Sequence, residues 1–181
     1  MVLVSAGAIV FVTGLPSAGK STFAARLQRE LGERGVPACL LDGDVVRAAL
    51  VPRPGYSPEE RAHFYQTLAN LGGMLAEQGL IAILAATANQ AEYRAYARGL
   101  APRFFEVFVD VPIEECRARD AKGLYAAYRE GTIGQVPGED AAYERPAHPS
   151  AVARGGRDES ALRALVELLA PAPHPGDRER R

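Results

Sequence analysis

Residues Gly14-Leu15-Pro16-Ser17-Ala18-Gly19-Lys20-Ser21-Thr22 have the spacing G-x-x-x-x-G-K-[ST], which folds backbone N–H groups around phosphate oxygens. Gly14 and Gly19 permit the curl that turns successive N–H groups inward. Pro16 has no N–H, so the donors must come mainly from residues 17 to 22: Ser17, Ala18, Gly19, Lys20, Ser21 and Thr22. Lys20 can reach the outer phosphates, and the Ser21 hydroxyl suits Mg²⁺. A second candidate follows at Asp42-Gly43-Asp44, two carboxylates that either do chemistry or form a solvated Asp-Gly turn. Ligands of open α/β sheets sit beyond the carboxyl ends of the strands, which favours chemistry.

The elements that must position these residues can be read from the apolar pattern. Residues 8–12 (A-I-V-F-V) form a continuous apolar run, as in a strand buried on both faces. After the loop, Phe23, Leu27 and Leu31 give a helix one apolar stripe, which ends near Gly32 or Gly35. Residues 36–41 form a second strand that delivers the two aspartates at its C-terminal end. Ser57, Pro58 and Glu60 then start a long helix with a capping box, its apolar face being Phe64, Leu68, Leu71 and Leu75. Gly72 and Gly73 inside it cost about 1 kcal/mol each, which close helix packing would explain. Residues 80–86 and 104–109 supply two more strands, with helices over 90–100, 112–119 and 158–170. Strands alternating with helices predict a parallel sheet covered on both faces. Residues 121–149 hold four glycines and three tyrosines without sustained periodicity, a length that marks a functional or disordered segment. Residues 171–181 read as a disordered tail, leaving one domain over 1–170.

Composition narrows the partners. A chain of 181 residues with net charge −1 gives no global case for nucleic-acid or membrane binding, so any anion site must be local. Cys39 and Cys116 lack metal-ligand spacing and read as free thiols in a reducing cytoplasm. The apolar N-terminal residues lack a basic leader and run straight into the phosphate loop, so they read as a core strand rather than a signal peptide. No run is long enough to span a membrane.

Four blocks together resemble the adenylylsulfate kinases, small P-loop enzymes that use MgATP to phosphorylate the ribose 3′-hydroxyl of adenylyl sulfate. Residues 14–22 look like that family's G-L-x-x-A-G-K-S-T, and residues 41–47 are similar to its L-D-G-D-x-[VI]-R. Residues 106–110, with Cys116, Arg119 and Asp120, look like E-V-F-V-D…C-x-x-R-D, and Lys122 to Glu144 resembles the mobile lid. The resemblance implies a P-loop NTPase-type three-layer α/β sandwich with a lid over about 121–149, cofactors ATP and Mg²⁺, and a homodimer, the family often dimerising. It makes Lys20, Asp44, Asp42 and Lys122 the catalytic set, with Ser21 and Asp44 at the metal. Arg117 and Arg119 fall near the family's adenine-contacting segment. Asp44, Arg47, Arg61, Arg94, Lys122, Gly123 and Leu124 would hold the anionic acceptor.

The chain departs from the family pattern on the acceptor side. The family's S-F-I-S-P-Y-R is A-A-T-A-N-Q-A here, so its serine and arginine become Ala88 and Ala91. An Asn and an Arg become Phe64 and Gln66, and the lid Phe becomes Val136. The expected reaction is γ-phosphoryl transfer from ATP to a hydroxyl of a small anionic acceptor, adenylyl sulfate leading. The departures keep open a kinase of another nucleotide-linked or small hydroxyl metabolite, and an ATP-binding regulatory module with little transfer activity. Arg94 and Arg98 read equally well as helix-face charges; His63 and Tyr65 either line an acceptor pocket or, the favoured reading, lie on the helix surface. Tyr125, Tyr128 and Tyr143 read first as packing residues, with nucleotide stacking the alternative.

Overall fold

The first apolar run forms β1 (Ala8–Thr13), buried along its whole length. The computed structural model describes residues 7–170. It places β1 between β3 (Ile81–Ala85) and β4 (Phe104–Val109), with β2 (Ala38–Asp42) and β5 (Ala151–Ala153) outside them. All four pairings are parallel, in the order β2-β3-β1-β4-β5. Alternate side chains of β1 serve opposite layers. Val10 and Val12 join Phe23, Leu27 and Leu31 of α1 (Lys20–Glu33) and Leu162 and Leu165 of α7 (Glu159–Leu169). Ile9 and Phe11 join Phe64 and Leu68 of α3 (Pro58–Glu77) and Tyr93 of α4 (Ala91–Arg98). This is the three-layer α/β sandwich expected from the pattern.

Local chemistry sets the element ends. Ser57 caps α3 by accepting from Glu60 N at 3.2 Å, while the Glu60 carboxylate takes Ser57 N at 3.1 Å, completing the capping box. Gly72 faces Leu84 so closely that a Cβ would lie 2.8 Å from Leu84 Cδ1, which is the packing reason for a glycine in mid-helix. The second strand starts at Ala38, two residues later than expected, and runs one residue further to include Asp42. Three short elements escape the pattern: α2 (Gly43–Ala49), α6 (Leu124–Arg129) and β5. Six or seven residues make fewer than two helical turns, too few to show a stripe. With α5 (Ile113–Arg119) these complete the described fold.

Cys116 is buried and Cys39 half-buried, both as free thiols, and burial pushes the Cys116 thiol up. Among the described residues no helix is long and apolar enough to cross a membrane. The expectations for residues 1–6 and for the tail lie outside the described residues.

Candidate active site

The phosphate-binding spacing closes into a turn at the carboxyl end of β1. Gly14 has φ 154° and sits where a Cβ would lie 2.6 Å from Val109 O; Gly19 has φ 103° and caps α1 in the left-handed region. Ser17 also has positive φ, at 62°. Residues 17–19 therefore turn sharply enough to leave the first N–H groups of α1 facing outward, a ready anion site. Lys20 lies over the loop, its Nζ donating to Leu15 O at 2.7 Å. Burial, and then the charge of Lys122, bring Lys20 down to about 8 against the opposing pull of Asp44 and Asp42. Gly14 and Ala18 do not line the cleft itself; Ala18 is fully buried and Gly14 shapes the backbone.

β2 ends two strands away, and Asp42 there does two things. Its Oδ1 caps α2 by accepting from Asp44 N at 3.0 Å, and its Oδ2 accepts from the Ser21 hydroxyl at 2.5 Å. The Asp-Gly-Asp stretch is thus a helix start rather than a free turn, and Asp42 orients the Ser21 hydroxyl. Asp44 projects forward from α2 and pairs with Lys122 across the cleft. Both carboxylates and Ser21 belong to one local network.

The cleft beyond these ends has a volume of about 1210 Å³, above the roughly 300–1,000 Å³ common for one small ligand, so two ligands can share it. Seven basic side chains line it (Lys20, Arg47, Arg61, Arg119, Lys122, Arg154 and Arg157) against two acidic ones, Asp44 and Asp158. A chain of net charge −1 has gathered its positive charge here, which favours anionic ligands. One end holds the phosphate loop, Arg119 and residues 154–158. The other end is walled by Arg47, Tyr56, Arg61, Phe64, Tyr65 and residues 85–87, with residues 133–137 above.

Several expected site residues are placed differently. Arg47 does line the cleft, yet its buried guanidinium donates to Gly55 O at 2.5 Å and stacks 3.7 Å over the Phe64 ring and 4.6 Å over Tyr56. Burial lowers the pKa of Arg47. Arg61 donates to Tyr56 O at 2.8 Å and Gln135 O at 2.6 Å, joining α3 to the segment above. Arg94, expected at the acceptor, does not line the cleft: it is 3 % exposed and pairs with Glu106 at 2.7 Å. Its partners leave no direction open toward a ligand. Arg117, expected at the nucleotide, instead forms a two-pronged pair with Glu139 at 2.7 and 2.8 Å, which strengthens the charged form of each. Gly123, with φ 66°, starts α6 without lining the cleft, whereas Lys122 and Leu124 do line it.

Of the two readings of Tyr65, the pocket one fits its place: it is 6 % exposed, lines the cleft and stacks on Tyr93 at 4.7 Å. Its place on the face of Phe64 and Leu68, one residue off the four-residue repeat, was the available signal. Residues 154–158 (R-G-G-R-D) went unread, although two glycines between an apolar run and an amphipathic helix mark a βα turn. Asp158 clamps that turn by accepting from Arg154 N at 2.9 Å and Ala161 N at 3.0 Å. These bonds hold its carboxyl down to about 2. Gly156 docks on the phosphate loop, where a Cβ would lie 2.6 Å from Gly19 O.

A second groove of about 1130 Å³ opens on the far side of Leu15. Its acids are already engaged: Asp110 with Arg145, Glu115 with Arg119, Glu139 with Arg117, and Asp140 with the N–H groups of Gln135 and Val136.

A parallel sheet with a glycine-bounded phosphate loop after its central strand, and a lysine and a Ser–Asp pair at its mouth, defines a P-loop phosphate-binding protein. Within that class the chain belongs to the adenylylsulphate kinase family, whose profile matches residues 6–154. It is 42% identical over 145 residues to the adenylyl-sulfate kinase of Pseudomonas aeruginosa, covering 79% of this chain and 74% of that one. The adenylyl-sulfate kinase of Paraburkholderia xenovorans is 40% identical over 141 residues, 77% of this chain and 79% of its own. Among solved structures, the Mycobacterium tuberculosis APS kinase CysC in complex with AMPPNP and APS superposes with TM-score 0.84 at 37% identity, covering 91% of this chain and 98% of that one.

Proposed function

We propose that this chain transfers the γ-phosphoryl group of ATP to the 3′-hydroxyl of adenylyl sulfate. The carrying observation is a cationic cleft with the phosphate loop at one end and an aromatic, arginine-bearing wall at the other, Asp44 standing between them. ATP lies with its phosphates on the N–H groups of residues 17–22 and its base toward Arg119 and the 154–158 turn. Lys20 releases Leu15 O and follows the negative charge that builds on the transferring group. The acceptor lies against Tyr56, Phe64 and Tyr65 with its hydroxyl toward Asp44. Asp44 accepts that hydroxyl's hydrogen bond and takes its proton as the new P–O bond forms and the bond to ADP breaks. Catalysis here is positioning and charge placement, as phosphoryl transfer requires.

The oxygens of Ser21, Asp42 and Asp44 suit Mg²⁺, which takes one or two protein oxygens and keeps waters and substrate phosphates. Among the described residues no three His, Cys, Asp or Glu side chains form a metal cluster. Bound there, Mg²⁺ would neutralise charge on the phosphates. Lys122 stands at the start of the covering segment, and its pair with Asp44 is exchanged when ligands enter. Residues 121–149 act as the lid in this reading, within one domain over 1–170, and the chain works as a cytoplasmic homodimer; sedimentation velocity reads the last point.

Another hydroxyl metabolite is the second reading. It is favoured by the methyl groups of Ala88 and Ala91 in place of a hydroxyl and a guanidinium, and by the engagement of Arg47 with Phe64. The test is ADP release from MgATP with and without adenylyl sulfate. Stimulation with a 3′-phosphorylated product is the expected result. ATP binding without stimulation would refute adenylyl sulfate as acceptor, and a metabolite screen would then separate the second reading from a regulatory ATP-binding module.

A further inference from the structure

The loop after β3, residues 86–90, backs the acceptor end of the cleft, and side chains from distant elements hold its backbone. Thr13 Oγ1 donates to Thr87 O at 2.6 Å, and Ala88 N donates to Tyr65 Oη at 3.0 Å. Arg94 Nη1 donates to Ala88 O at 2.5 Å and Gln90 O at 3.1 Å. Ala88 has φ 39°, a conformation a non-glycine residue adopts only when its surroundings impose it. Its N–H and C=O are both gripped, from α3 and α4.

The same loop is tied to the return limb of the covering segment, more than fifty residues on. Glu144 N donates to Asn89 O at 2.8 Å, and Asn89 Nδ2 donates to Ala142 O at 2.9 Å. The Glu144 carboxylate accepts from Ala91 N, the first residue of α4, at 2.6 Å. Arg94 Nη2 donates to Glu144 O at 2.6 Å, so one guanidinium spans both segments while its Nε is anchored on buried Glu106. Thr13 Oγ1 also meets Tyr143 Oη at 2.9 Å. The Thr13 proton is committed to Thr87 O, so the Tyr143 hydroxyl is the donor. Thr13 directly precedes Gly14, and its bonds therefore reach the phosphate loop, the acceptor-side loop and the return limb together.

We propose that Glu144, Tyr143, Arg94 and Thr13 form a latch that makes the acceptor-side loop and the return limb of the lid one mechanical unit. It rests on the kinase reading above for the identity of the acceptor. The four are positioning residues: none lines the cleft, Thr13 holds the cleft-lining Thr87, and the others hold the backbone that continues from it. The lid then hinges before residue 141, not at the end of the 121–149 stretch. Entry of the acceptor against a loop already held in its strained form needs no reordering of that loop.

The test uses the intact chain and the variants Tyr143→Phe, Glu144→Ala and Glu144→Gln. Hydrogen exchange without ligands should rise in Glu144→Ala at both residues 87–91 and residues 138–145, and Glu144→Gln, which still accepts from Ala91 N, should restore protection at both. In turnover, Tyr143→Phe and Glu144→Ala should raise the acceptor KM about threefold to tenfold, the equivalent of one hydrogen bond, with the ATP KM within about twofold. Loosening confined to residues 138–145 overturns the proposal, as does an equal rise in both KM values. Should Glu144→Ala fail to fold, Tyr143→Phe removes one oxygen and decides the same two points. The exchange measurement needs no turnover: joint loosening in a protein inert toward adenylyl sulfate leaves the latch standing and sinks the acceptor reading. Independent loosening in an active enzyme does the reverse.

Discussion

Nucleotide binding should draw a proton onto Lys20. In the free protein its amine is held at about 8 by burial and by Lys122, and its nearest acceptor is the neutral carbonyl of Leu15 at 2.7 Å. A polyphosphate in the loop supplies several negative charges and returns the amine to the charged form. The neutral fraction before binding is about one tenth at pH 7, half at pH 8 and nine tenths at pH 9, and proton uptake should follow that series. Above pH 8 apparent affinity should fall, approaching tenfold per pH unit. The sign for folding runs the other way from a salt bridge. A lowered lysine pKa is a penalty present in full below about 8 and relieved as pH rises toward 10.5, where the unfolded chain also loses its proton. The assay is titration calorimetry with a non-hydrolysable ATP analogue and Mg²⁺, repeated in buffers of different ionisation enthalpy; the slope counts protons. Lys20→Arg keeps its charge at every working pH and should abolish the uptake. An uptake flat between pH 7 and 9, or one that survives in Lys20→Arg, would refute the assignment.

Asp44→Asn keeps the shape and removes the base, so kcat should fall about 10²–10⁴-fold while ATP affinity changes little; equal losses would make Asp44 structural. Gly156→Ala would place a Cβ 2.6 Å from Gly19 O and 2.7 Å from Thr22 Cβ, so the loop or the turn must shift. A loss of about 1–3 kcal/mol in denaturant unfolding is expected, with the ATP KM raised more than the acceptor KM. Asp158, held at about 2, stabilises the fold above its unfolded value of 3.8 and loses that stabilisation as pH falls toward 2. Asp158→Asn should therefore flatten the acid limb of the stability curve between about pH 4 and pH 2, and an unchanged limb would deny the clamp.

The nucleotide end was legible because it is local. Nine consecutive residues carry the turn, the donors and the lysine, and their geometry follows from φ at Gly14 and Gly19 and from the start of α1. The capping box at Ser57 and the glycine at position 72 are of the same kind, each settled by neighbours in sequence or by one facing strand. The order of the strands in the sheet, β2-β3-β1-β4-β5, came from the structure. Short elements such as α2 and β5 escaped because a period needs more residues than they contain.

The arginines of both ends were legible as residues but not in their roles. Arg94 and Arg117 have the charge to hold an anion, and nothing near them in sequence says whether a partner has already taken it. Glu106 lies twelve residues from Arg94 and Glu139 twenty-two from Arg117, on elements whose approach only the packed sheet decides. Tyr65 could be placed on a helix by its spacing, yet its burial depends on Tyr93 of a neighbouring helix. The sequence by itself determined a parallel sheet with a phosphate loop after its first strand, since short-range sterics and apolar periodicity act along the chain. Only the tertiary structure decided which arginines are spent on the fold and which remain for ligands, since charge pairing depends on distance in space.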